Sequence, residues 1–164
     1  MAAGLRLLRH LFAPSAAGRF PDQVLARIGE AIAAGERLHD GEGVFAVEAG
    51  LPAGEAWRGT APRARAEEVF ARLRVWDTQA NNGVLLYLLL ADHAIEIVAD
   101  RGLHGRVAAA EWEAVCAAVR ERLHVDGDKA AAVDGVARIS ALLAAHFPAT
   151  DEPRDELPDR PVRL

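Results

Sequence analysis

Asp77, Asn81, Asn82 and Asp100 carry the most specific chemistry in this chain of 164 residues. Two carboxylates and two amides offer hard oxygen ligands of the kind that hold Ca²⁺ or Mg²⁺. Glu42 is a fifth candidate for the same site. In the alternative of a metal-assisted phosphomonoesterase, Asp77 and Asp100 would hold a cation that polarises a phosphoryl oxygen. No nucleophile–base pair accompanies them, and carboxylates alone are not a mechanism. The competing expectation is that Asp and Asn simply favour turns and strand ends, with Asp100 pairing to Arg101 or capping a backbone amide.

Other chemistry has weaker grounds. The histidines at 10, 39, 93, 104, 124 and 146 show no HxH or HExxH spacing, so a zinc site lacks its usual pattern. Cys116 shares a helical face with Trp112 and Val119 and reads as a buried thiol rather than a nucleophile. Gly41 and Gly43 precede a strand instead of joining a strand to a helix, so they form no dinucleotide fingerprint. Neither a phosphate-binding GxxxxGK[ST] loop nor a GxSxG elbow is present. Trp57, Trp76 and Trp112 read as core or cover rather than a binding platform.

The elements that must position the acidic and amide residues follow from periodicity. Pro21 opens a helix over about 22–37, with Leu25, Ile28, Ile32 and Gly35 on one face. A short strand over 44–49 follows, then a loop over 50–60. A helix from Pro62 to about Trp76 turns Ala66, Val69, Phe70, Leu73 and Trp76 inward. Val84–Leu90 and Ile95–Ala99 flank a four-residue link and read as a hairpin, the first arm apolar on both faces. Helices over about 107–124 and from Asp128, read as a cap, to His146 complete the pattern. The order predicts a three-layer α/β/α sandwich, its mixed sheet built from one βαβ unit and a β-hairpin. That topology brings the start of the hairpin's first arm, the end of its second and Glu42 to one sheet end. Glu48, Asp92 and His93 fall at the other.

Composition narrows the function classes. A net charge of −5 gives no basic footprint for nucleic acid. A single cysteine fits a reducing compartment, and no apolar run approaches the roughly 20 residues of a membrane span. The chain divides into a basic amphipathic segment over 1–19, an α/β domain over 20–148 and a polar, proline-rich tail over 149–164, expected to be extended or disordered. The charges at Arg6, Arg9 and His10 interrupt Leu5, Leu7, Leu8, Leu11 and Phe12, unlike a secretory signal. Such a helix is expected to pack its apolar side on the domain, with peripheral membrane contact through residues 1–12 as the alternative.

The stretches HDGEGVFAVEA and RARAEEVFARLRVWDTQANNGVLLYLLLADHAIEIVADRGL resemble the TPM domain family, and most closely a compact bacterial branch lacking signal peptide and membrane helix. The ending ELPDRPVRL is also similar to that branch. The resemblance implies an α/β/α sandwich, and several relatives bind divalent cations at acidic residues near a sheet end. Members include a thylakoid protein described as an acid phosphatase and an animal receptor-associated protein, so kinship does not select one activity. Where the branch reads GEIRFAVE, this chain has Gly43 and Val44 and lacks an arginine that would neutralise a phosphate. The expectation is a cytoplasmic, non-catalytic interaction module with an unidentified protein partner and a Ca²⁺ or Mg²⁺ site. The alternatives are a weak metal-assisted phosphomonoesterase and a membrane-surface adaptor.

Overall fold

The computed structural model describes residues 2–152 and 155–164. Its centre is β2 (Gly83–Leu89), buried at every position. A strand with no polar face must be covered on both sides, and two layers of helix do so. Val84, Leu86 and Leu88 face one core with Phe45 and Val47, while Leu85, Tyr87 and Leu89 face a second core with Val44 and Ala46. The neighbouring strands are β1 (Glu42–Glu48), parallel to β2, and β3 (Ala94–Ala99), antiparallel to it. A turn through Leu90–Asp92 and left-handed His93 closes the hairpin.

The first core is roofed by α3 (Asp22–Glu36), α6 (Ala109–Asp126) and α7 (Asp128–His146). In α3 the buried residues are Leu25, Ile28, Ile32 and Gly35, the face that the 3.6-residue period selects. The second core lies under α5 (Pro62–Arg72), the crossover that makes β1–α5–β2 a βαβ unit. This is the expected three-layer α/β/α sandwich with a mixed sheet.

Local departures have local causes. The expected loop over 50–60 contains α4 (Ala53–Arg58), opened after Pro52 and closed by Gly59 in the left-handed conformation. Helix α5 stops at Arg72 because Arg74 takes a positive φ of 56°. That twist buries Val75 and leaves Trp76 outside, half-exposed under the Arg74 guanidinium. Asp128 is the buried first residue of α7 rather than its cap, and it is ion-paired with Arg19 of α2 (Ala16–Arg19).

The two ends of the chain differ most from the periodic reading. The tail is extended, but it is docked: Val162–Arg163 forms β4, parallel to β1, giving the sheet order β3-β2-β1-β4. Leu157 is buried in the second core. Helix α1 (Ala2–Leu11) packs beside α4 with Arg6 and His10 inward. Arg6, Arg9 and His10 all converge on Asp92, and the His10 Nδ1 accepts the Leu51 N–H at 3.0 Å. Its leucines are mostly outside, with only Leu7 turned toward the second core. Charge pairing thus orients this helix in place of the apolar packing expected of it.

Because Leu86 sits at the middle of the dry strand, Leu86→Ala should destabilise the fold by about 2–5 kcal/mol. The check is chemical denaturation, and the same change at exposed Val133 should cost under about 1 kcal/mol.

Candidate functional site

The sheet end where β1 and β2 begin and β3 finishes gathers most of the acidic and amide residues singled out above. Register places Glu42 opposite Gly83, and Asp100 N–H donates to the Gly83 carbonyl on the other side. Glu42, Gly83 and Asp100 therefore form one row across three strands. Gly83 lets the Val75 carbonyl pack directly on this row, because a Cβ there would run into that oxygen. A side chain at this position would displace the Val75 turn that enters the end of the sheet.

Each predicted ligand has a distinct environment. Asp100 is buried; one of its carboxylate oxygens accepts the Arg101 N–H at 2.7 Å, and the other, Oδ2, is shielded from solvent without a donor among the described residues. Asn82 is also buried, its amide donating to the Asp40 carbonyl at 2.5 Å while its Oδ1 is likewise without a donor. Asn82 lines a recess of about 240 Å³ with Asp40, Ala80, Thr150, Glu152 and Glu156. Asn81 adopts a positive φ of 52°, and its Oδ1 accepts from Arg101 Nε at 3.1 Å. Asp77 turns outward to Arg74, at 2.6 Å, half-exposed. Asn81, Asn82 and Asp100 are thus drawn into one corner, whereas the Asp77 carboxylate is engaged by an arginine of its own turn.

Glu42 fastens the tail. Its two oxygens accept the N–H groups of Glu156 and Leu157 at 3.2 and 3.1 Å. Burial raises its pKa despite those two bonds, which act in the opposite direction. Alongside, Glu36 of α3 accepts the Gly43 N–H at 3.0 Å and meets Asp159 of the tail. Carboxylate oxygens of Glu36, Asp155 and Asp159 lie within 4.8 Å of one another. Desolvation, the Asp159 hydrogen bond and the nearby Glu42 charge push the Glu36 pKa up to about 9. Two facing carboxylates require a proton or a cation between them. Periodicity could not reveal this triad, because it forms only when the tail folds back. The ELPD segment was its only sequence signal.

The opposite sheet end is chemically closed. Glu48 holds Arg65 through two bonds, at 2.9 and 2.8 Å, and accepts the Tyr87 hydroxyl at 2.6 Å. All three are buried. Burial and the Glu48 carboxylate raise the Tyr87 pKa, while the two glutamates around Arg65 keep its guanidinium charged. With donors and acceptors matched, this network is a brace across strand and helix rather than a reactive group. His93 points to solvent. Cys116 is partly buried beside the first core, and burial raises its thiol pKa, consistent with an inert packing role.

A pH test follows from Glu36. Its folded pKa lies above the unfolded value of 4.5, so its contribution to stability is complete below that value and is lost as pH rises toward about 9. Wild-type protein should melt several degrees lower at alkaline pH than at mildly acidic pH, given about 2–4 °C per kcal/mol at this size. Glu36→Gln, which cannot ionise, should show a distinctly flatter dependence in the same thermal scans.

The comparisons with known proteins agree with this architecture. The NMR structure of BA42 protein from the psychrophilic bacterium Bizionia argentinensis is 26% identical, with a TM-score of 0.73. The similarity covers 87% of this chain and 93% of that one. No curated protein matches. The model of the TPM domain matches residues 15–142, from α2 through most of α7, and by that match the chain belongs to the TPM domain family.

Proposed function

We propose that this chain is a non-catalytic cytoplasmic interaction module with a site for Ca²⁺ or Mg²⁺ at the acidic sheet end. One observation carries the reading. Asp100 Oδ2 and Asn82 Oδ1 are both shut away from solvent without a donor among the described residues. A buried acceptor left unsatisfied costs about 1–3 kcal/mol, more when charged, and a hard cation with oxygen ligands removes that cost. Asn81, Asn82 and Asp100 are the candidate ligands at the hairpin end, with Glu42 beside them, and Asp77 would join them only by leaving Arg74. Glu36, Asp155 and Asp159 are the second candidate set. A cation at the second set would take the place of the proton on Glu36 and bind the tail to α3. The surface so stabilised would then meet an unidentified protein partner.

Binding to the native state alone stabilises it by about 2.7 kcal/mol at 100 times Kd. Millimolar Ca²⁺ should therefore raise the melting temperature by about 5–10 °C beyond matched Na⁺. Asp100→Asn and Asp159→Asn separate the two sets, since the variant at the occupied set loses the response. A wild-type melt unchanged by Ca²⁺ and Mg²⁺ up to about 10 mM, past the weak range of calcium modules, removes the cation site. Hydrolysis of an aryl phosphate should not exceed background. Repurified activity abolished by Asp77→Asn or Asp100→Asn would promote the metal-assisted phosphomonoesterase instead. The outward leucines of α1 favour a second reading, a membrane-surface adaptor using residues 1–12.

A further inference from the structure

Helix α1 is inverted with respect to its own amphipathicity. Arg6 and His10 point at the domain, where Asp92 takes Arg6 at 2.6 Å and faces the His10 Nε2 at 3.2 Å. The Arg6 guanidinium also donates to the Thr60 carbonyl at 2.7 Å. These bonds fix the rotation of the helix, and the rotation leaves Leu5, Leu8, Leu11 and Phe12 at 73%, 51%, 55% and 80% exposure. At 100° per residue the three leucines fall within one arc of the helix, and Phe12 follows in the turn that ends it. Helix α4, packed against α1, adds Trp57 at 62% exposure. Isolated exposed leucines need no explanation, but a helix face of three leucines continued by an exposed phenylalanine does.

The charges around this face select its occupant. Helix α1 contains Arg6 and Arg9 and no acid, while the chain as a whole is negative. Asp92 offsets one of the two arginines of α1, and Arg9 stays half-exposed at the rim. Arg58 follows Trp57 at the surface, bonded to Glu55. Two copies of the chain meeting through this face would oppose like charges. An anionic bilayer instead takes the apolar groups into its headgroup–acyl boundary and attracts the arginine rim. Tryptophan beside such a helix suits the same depth. No helix among the described residues is long and apolar enough to cross a membrane, so contact by α1 would be parallel to the surface.

We infer that α1, held by Asp92 with its apolar face outward, is a docking surface for anionic lipid bilayers. The inference rests on the membrane-surface reading and adds the face and the lipid charge to it. The test is flotation of the full chain with phosphatidylcholine vesicles, alone and with about 30% phosphatidylserine. The anionic vesicles should be bound at least about fivefold more tightly, the increment expected of one arginine near the surface. Leu8→Gln with Phe12→Gln should lower that binding by tenfold or more while leaving the melting temperature unchanged, since both side chains are exposed. Arg9→Gln should reduce the preference for anionic lipid. Binding that survives the double variant, or is equal on both vesicles, overturns the inference but leaves membrane contact standing. An absence of binding to either vesicle overturns both. A wild-type dimer in sedimentation that the double variant dissociates, without vesicle binding, assigns the face to a second copy and also overturns the inference.

Discussion

The constraint on which the architecture depends is that β2 has no face fit for water. Seven successive residues are buried, so the strand can exist only between two helical layers and between two other strands. Each leucine buried there contributes about 1.5–3 kcal/mol. A surface strand would forgo that on one side. The parallel crossover through α5 and the antiparallel return to β3 supply the lateral hydrogen bonds. With the hairpin turned at Asp92, Asp100 and Glu42 must end level with Gly83, whatever their chemistry.

Polar groups divide between the two ends of that dry strand in different ways. At one end Glu48, Arg65 and Tyr87 bond one another, with Glu68 taking the remaining Arg65 nitrogen, which fixes α5 against the sheet. At the other, acids outnumber their partners, and the tail adds Asp155 and Asp159 to Glu36 and Glu42. Strand β4 is only two residues long, so its ladder contributes little by itself. Its hold on β1 depends on Leu157 burial and on the Glu42 carboxylate gripping two tail amides. The acidic end is therefore where protonation acts on the structure, through Glu36 and the tail carboxylates beside it.

Asp92 links the fold to the proposed membrane contact. It sits in the turn of the hairpin and collects Arg6, Arg9 and His10. Desolvation would raise its pKa, but the arginines, Arg6 foremost, hold it below the ordinary carboxylate range. His10 is lowered chiefly by burial, keeping it neutral with its Nδ1 free to accept from Leu51. The core thus needs only a short turn here, and the turn's one carboxylate decides which side of α1 faces out.

Where apolar periodicity was strong, local sequence determined the structure: α3, α6, α7 and both arms of the hairpin follow from side-chain spacing, and so does the layered class. The row of Glu42 and Asp100 about Gly83 was also legible, because hairpin and crossover geometry leave little choice of register. Trp76 was not, since one left-handed residue, Arg74, rotates everything after it off the helical period. The tail and α1 were decided by tertiary structure alone. A proline-rich segment has no period to read, and it docks only because an edge strand, an apolar cleft and Glu42 await it. Helix α1 has a clear period, but its orientation depends on whether the ion pairs to Asp92 outweigh leucine burial. That comparison requires Asp92, more than eighty residues away in sequence and adjacent only after folding.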